Sequence, residues 1–483
     1  MRKYLIISLI LIVLAGYFGG VEAKPIRTFY VDASNGNDSN NGTTPESAWK
    51  SIEKVNALQF DIKKDKIVRG EKYTNSFFKP GDAILFKCEE KWKEQLYILS
   101  SGTKDNPVTF GTYGSGSKPI ISGAECFTSA CGVNADWEKI KDNIYRLKTE
   151  NDVGVVTEDG LSLIFVSWEP KKNNLVKMEQ GSSLFDYEKK LLYLWTTKGD
   201  SPDAHRIEGG VRKNAIRPLN SEYFIVKDVE ITHTSECGIK TENIKHAVFD
   251  NLDIHTCGGL WSKGGAFYHG NGITITYDSE DVVIQNSRIH DVYDSAVSPQ
   301  AFWKKGLTIK DIIIKNNEMY NAPHSVVEIT NWADNSRMSN ILVENNKIYN
   351  GGKGFSSKHQ WNKPSGGPGI LITIGKDRKS TIENILIKNN EIFDCTLEGV
   401  AVGPNSGPVE IINNNIHDNK GAGVIVFDDK KPTITRAIIE KNRITDNGDD
   451  ILTGGYAAAA EKENMTARNG DLDFKKQLKK YIK

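Results

Sequence analysis

Two carboxylates and an imidazole occupy matching places in two neighbouring stretches of the chain, HDVYDSAVSPQAFWKKG (290–306) and YNAPHSVVEITNWADNS (320–336). Strand alternation turns Ser298 and Glu328 outward and Val297, Val327 and Ile329 inward, with Asp294 and His324 in the turn just ahead of each strand. Hydrolysis of a glycosidic bond needs two carboxyl groups about 5 to 9.5 Å apart, one as nucleophile or base and the other as acid. Asp294 and Glu328 suit that pair if their segments stack directly, and His324 would bind or tune them. A lone outward Glu is more often simply solvated, and His324 in a turn can be a backbone partner alone. The combination therefore carries the reading, not any single residue.

Two long loops flank these stretches: TCGGLWSKGGAFYHGNG (256–272) and GGKGFSSKHQWNKPSGGPG (351–369). Long loops without structure of their own are usually functional or disordered. Here they would wall a cleft, with Trp261, Trp332 and Trp361 stacking on sugar rings and His269 and His359 contacting substrate. Trp303, Lys304, Lys305 and Trp332 lie at the far end of the same face, and Lys358 lies on the second loop. A second chemistry is β-elimination from a uronic-acid polymer. It needs a base, for which Lys304, Lys305 and Lys358 are candidates, and commonly Ca²⁺ held by clustered carboxylates. No tight outward cluster of Asp is visible, so no metal site is assigned and no cofactor is required; Ca²⁺ enters only with the elimination reading. A third possibility is a non-catalytic carbohydrate-binding or cell-surface protein, which needs only the cleft and its aromatics. No nucleophile elbow supports a Ser-His-Asp reading.

A repeat positions these residues. VVIQNSRIHD, IIIKNNEMYN, ILVENNKIYN, ILIKNNEIFD, VEIINNNIHD and IIEKNRITD recur from 282 to 446, mostly at roughly 23 to 30 residues, with weaker copies near Ile231 and Ile254. Each alternates apolar and polar residues and is followed by a turn and a second short strand. The period is too short for a βαβ crossover, so the copies stack as solenoid coils with parallel strands. Two ladders emerge, Asp228, Asn251, Asn286, Asn316, Asn345, Asn389 and Asn413 in one, Asp291, Asn321, Asn350, Asp394, Asp418 and Asp446 in the other. At turn positions both read as structural, tolerating left-handed backbone and bonding between coils. The expected fold is all-β, a right-handed parallel β-helix.

The start of the mature chain, TFYVDASNGNDSNNGTTPESAWKSIEKVNAL, reads as a strand, a polar loop and a helix over about 45–58; short strands in PGDAILFKCEEKWKEQLYI follow. This stretch resembles the opening of secreted pectate-lyase-like β-helix proteins, whose short helix caps the open end of the solenoid. Some β-helix β-xylosidases are similar in the same pattern. The resemblance implies the fold; its members include lyases, hydrolases, epimerases and adhesins, so activity must come from the site.

The expected organisation is a signal peptide over 1–23, an N-terminal cap with the first coils over 24–136 and an inserted antiparallel β subdomain over 137–215. The main β-helix covers 216–455 and a helical cap or tail 456–483. Arg2 and Lys3, an apolar run and Val21-Glu22-Ala23 read as a cleaved secretory signal, giving a secreted or periplasmic protein with no remaining membrane span. Of six cysteines, Cys126 and Cys131 are close enough to close a small loop, and the rest read as buried small hydrophobes. With 62 basic and 62 acidic residues the formal charge is zero, and no basic run suggests nucleic acid. The expected partner is a polysaccharide or oligosaccharide, met by a monomer.

Overall fold

The protein was analysed as a computed structural model that describes residues 25–60, 72–73, 76–262, 267–302, 304–358, 366–375, 379–428, 436–455, 458–462 and 464–468. The repeats wind into coils whose strands stack in three parallel sheets of 12, 10 and 11 strands. Inward side chains of all three sheets meet in one continuous core, in which Ile231, Ile254, Ile289, Met319, Ile348, Ile392, Ile416 and Ile444 form a fully buried stack. The signal segment expected over 1–23 lies outside the described residues. Among the described residues no helix is long and apolar enough to cross a membrane.

Both turn ladders hold left-handed backbone, with φ between 49° and 61° at their Asn and Asp residues, a conformation these two residue types tolerate best after glycine. The main inter-coil bonding lies one residue after the first ladder. Buried Asn317, Asn346, Asn390, Asn414 and Asn442, with half-buried Asn464, pass Nδ2-to-Oδ1 hydrogen bonds of 2.9–3.1 Å along the stack. The Asn346 side chain also donates to the Ile314 carbonyl at 2.9 Å and accepts from the Asn317 backbone N–H at 2.9 Å. Asn346→Ala is therefore expected to cost at least about 2 kcal/mol by stranding buried partners. Asn316→Ala should cost less, about 1 kcal/mol for a left-handed Ala. Urea denaturation of both variants checks this, and the reverse order would contradict it.

The N-terminal region forms a cap, though not with the helix limits expected. Pro45–Ser47 is a 3₁₀ turn, and the α-helix runs Ile52–Gln59. The pattern breaks between them because the backbone of Trp49 is committed to Tyr30 and Asp32; Ser51 then caps the helix by accepting from Lys54 N–H. Asn56 and Gln59 bond the backbone of Gln95, Tyr97 and Leu99, closing the edge of the strand Leu96–Ile98.

The solenoid is interrupted after Ile120–Ser122 and resumes at Asn214–Pro218, which pairs in parallel with Leu96–Ile98 and with Cys237–Glu242. The intervening chain folds into two small, mainly antiparallel sheets, one of five strands between Glu138 and Trp195, the other joining Ala124–Cys126 to Ile207–Gly210. Cys126 and Cys131 form a disulfide there; Cys237, Cys257 and Cys395 are buried thiols and Cys88 is half-buried.

The helical reading of the C-terminal segment is corrected over its described part. Ala458–Lys462 and Met465–Arg468 are strands, paired in parallel with Arg436–Glu440 and Arg443–Asn447. Asn464 accepts from the backbone and side chain of Asn442, so this segment is one more coil. The unpaired edge of the preceding coil outweighs the helix propensity of the alanines.

Candidate active site

The 10-stranded sheet presents one outward row across the coils, and register fixes its members. Lys240 pairs with Thr274, Thr274 with Ser298, and Glu328 with Leu371, which continues to Ala401 and Ile425. Val297 pairs with Val327, so Ser298 lies level with Glu328 one coil on. The row is polar up to Glu328; beyond it Leu371, Ala401 and Ile425 pack with Phe427 as an apolar cluster.

The turn ahead of each strand adds a second polar line. The His324 backbone N–H donates to the Asp294 carbonyl at 3.1 Å, so these residues occupy equivalent places on successive coils. From that turn the His324 ring reaches forward to Glu328, with Nε2 3.4 Å from Oε1. The other Glu328 oxygen accepts from Ser298 Oγ at 2.9 Å, and the residue is only 7% exposed. Sequence reasoning placed Asp294, His324 and Glu328 together, and the structure brings them together. Asp294 and Glu328 thus lie on adjacent coils, close enough for the charge of Glu328 to act on the Asp294 carboxyl.

Their electrostatics diverge. Burial, reinforced by the charge of Glu328 and opposed by His324, pushes the Asp294 carboxyl up to about 7. Burial alone would lower His324, but the hydrogen bond and charge of Glu328, together with Asp294, push it up to about 9. Near neutral pH the site therefore holds an imidazolium against Glu328, beside an Asp294 that gives up its proton far less readily than an ordinary carboxyl group.

The inserted sheets and both long loops hold this turn in place. Tyr293, fully buried, packs edge-on against Phe165 of the insertion at 5.1 Å, and its carbonyl accepts from Ser356 Oγ of the second loop at 3.0 Å. Tyr268 of the first loop exchanges hydrogen bonds with the Trp168 backbone at 2.6 and 3.0 Å, and Phe165 N–H donates to the Phe355 carbonyl at 2.9 Å. A Cβ at Gly258 or Gly270 would lie 2.4 or 2.3 Å from that of Tyr293, so only glycine admits this approach.

The other residues expected to contact substrate divide. His269 is half-buried beside Glu236 and Lys240; burial, with Lys240 and Lys213 adding and Glu236 opposing, pushes its imidazole down to about 4. Trp332 is 40% exposed, stacks on Phe302 at 6.3 Å and stands four residues beyond Glu328 on the same face. Trp261 belongs to the wall, its ring packed against Trp168 and Tyr268 at 5.9 and 5.0 Å. Exposed Lys304, Lys305 and Lys358 face Asp278, Asp334 and Glu179 at 3.8, 3.7 and 2.8 Å. Trp303, His359 and Trp361 lie outside the described residues.

Glu236 went unnoticed in the sequence. It lies four residues before Lys240 and hydrogen-bonds it, the same offset that joins His324 to Glu328, and it is 6% exposed. That offset from an outward strand position was the available signal. Among the described residues, the one group with metal-like spacing is Glu158, Asp159 and His205 in the insertion. There His205 bridges Asp159 and Asp200 at 2.8 Å each, an arrangement that satisfies a protonated imidazole.

Comparison with known proteins gives the following likenesses. The family described as a right-handed β-helix region matches residues 203–361 and 355–471. A lacto-N-biosidase of Bifidobacterium longum subsp. longum is 31% identical over 99 residues, 20% of this chain and 5% of that much longer protein. Among solved structures, a glycoside hydrolase superposes with a TM-score of 0.54 at 10% identity, covering 94% of this chain and 98% of the other. A lacto-N-biosidase from Eubacterium ramulus superposes with a TM-score of 0.52 at 14% identity, covering 91% and 68%. At such identities the superpositions establish a shared fold.

Proposed function

The chain belongs to the right-handed β-helix family, and on that scaffold we propose a hydrolase of glycosidic bonds in a polysaccharide or oligosaccharide, with Asp294 and Glu328 as its reacting pair. The observation that carries this reading is the contrast between two carboxyl groups on adjacent coils. Glu328 accepts from Ser298 and faces the His324 ring, while burial pushes the Asp294 carboxyl up to about 7. Divided environments of this kind separate an acid from a nucleophile.

In the mechanism Asp294 gives its proton to the leaving oxygen as the glycosidic bond breaks, and a Glu328 oxygen bonds the anomeric carbon. Asp294, now a carboxylate, takes a proton from water, whose oxygen displaces Glu328 and restores both groups. Two carboxyl groups on adjacent coils in contrasting environments suit this double displacement. His324 orients Glu328, and Trp332, roughly 13 Å further along the strand, offers a ring face to a sugar. The names of the similar glycoside hydrolase and lacto-N-biosidases support the reading.

Elimination is less well supported. His324 is protonated at neutral pH, which unfits it as a base, and Lys304, Lys305 and Lys358 stand beside carboxylates. The disulfide and the N-terminal leader pattern fit action outside the cytoplasm, by a chain working as a monomer.

The test is a screen of neutral and uronic-acid glycans, with and without EDTA, following new reducing ends and the ultraviolet absorbance of unsaturated uronates together. Reducing ends without absorbance support hydrolysis. Absorbance rising with cleavage would establish elimination instead, and binding without cleavage a lectin-like role.

A further inference from the structure

Building on that hydrolase reading, we propose that Glu236, Lys240 and His269 form a distal subsite for the hydroxyl groups of a neutral pyranose, and that the glycan lies along the coils from Glu328 toward the N-terminal end. Register puts Lys240 two coils from Ser298, through Thr274, on the outward row that also carries Glu328. Two coils are about 10 Å, so a chain laid along the row meets Lys240 beyond the sugar next to the reacting pair. In the opposite direction the row turns apolar at Leu371, Ala401 and Ile425 and offers no hydrogen-bonding side chain.

The chemistry of the group identifies its ligand class. Glu236 accepts and Lys240 donates, which together match the adjacent hydroxyls of a pyranose. The half-buried His269 imidazole, which burial keeps neutral, lies beside them. The charges of Glu236 and Lys240 cancel, so the pair itself does not select for an anionic sugar. Neighbouring Arg217 is already paired with Glu242 at 2.6 Å. Between this group and the reacting pair the floor is short and polar, with Asn271 Nδ2 donating to Thr274 Oγ1 at 3.0 Å. An ion pair whose carboxylate is this buried contributes little to stability, because desolvation offsets its attraction.

The test uses an array of neutral and uronic-acid oligosaccharides of graded length. It is probed with the full chain carrying Glu328→Gln and with the same chain also carrying Glu236→Gln and Lys240→Met. Removing both charges together avoids stranding either one. The parent is expected to bind neutral chains. The added pair should weaken binding of the longer ones by about 10-fold or more while leaving the shortest unchanged. His269→Gln, as a gentler second variant, should weaken the same long chains. Equal binding at every length overturns the proposal, as does a loss that ignores length at an unchanged melting temperature. A preference for uronic acids, or a parent that binds nothing, overturns it too. Cleavage of the bound glycans by the unmodified protein is read separately: glycans bound in this length-dependent way but left intact refute the hydrolase and keep the subsite.

Discussion

Glu328→Gln is expected to lower kcat by at least about 10⁴-fold with substrate binding largely retained, because the amide cannot form the bond to the anomeric carbon. The geometry around residue 328 should survive, since Ser298 Oγ can still donate to the amide oxygen in place of the carboxylate it now serves at 2.9 Å. The change should instead appear at His324. Its imidazole is held up at about 9 chiefly by the hydrogen bond and charge of Glu328, against the pull of burial. With Gln it should titrate well below that value. A loss of activity together with a falling His324 pKa, followed by NMR, is the expected pair of results. Full activity in the variant would remove Glu328 from the chemistry.

Asp294→Asn carries the second large effect, and its signature is pH-dependent. An acid that titrates at about 7 must be protonated to serve the leaving group, so kcat/KM of the unmodified protein should fall as pH rises through that value. The variant should lose about 10² to 10⁴-fold on ordinary glycosides and far less on substrates whose leaving group needs no proton. Stability should move the other way. The folded carboxyl holds its proton to about 7, whereas an unfolded Asp releases it near about 4. Its favourable contribution is therefore complete below about pH 4 and lost as pH climbs to about 7. At pH 8 the unmodified protein carries a poorly solvated charge that Asn removes, so the variant should be more stable there by up to about 4 kcal/mol, with little difference near pH 4. Thermal melts across that range check the sign; a variant less stable at pH 8 would contradict it.

Much of the architecture was legible because a solenoid writes its period into the sequence. Inward Ile and left-handed Asn recur once per coil, and a two-residue alternation decides which side chains leave the core. The same alternation exposed Glu328, and the matching turns exposed Asp294 and His324. What escaped depends on contacts between coils or between distant segments. The bonding Asn ladder sits one residue from the positions that left-handed backbone makes conspicuous, because a side chain must turn inward to reach the next coil. Trp261 looked like a sugar platform, yet its ring is claimed by Trp168 of an insertion whose docking no local pattern announces. Glu236 hid in a turn just ahead of the strand that carries Lys240. The alanines after Gly455 carry helix propensity, and only the open edge beside them makes them a strand.

The most direct test of the central claim is the anomeric configuration of the first sugar released, followed by proton NMR before mutarotation on a glycan that the protein cleaves. Carboxyl groups on adjacent coils, acting by double displacement through Glu328, predict the configuration of the substrate retained. An inverted product would mean that water attacks directly and that a more distant carboxylate works with one of this pair. An unsaturated product would mean elimination, and either outcome would contradict the assignment of Asp294 and Glu328 as acid and nucleophile.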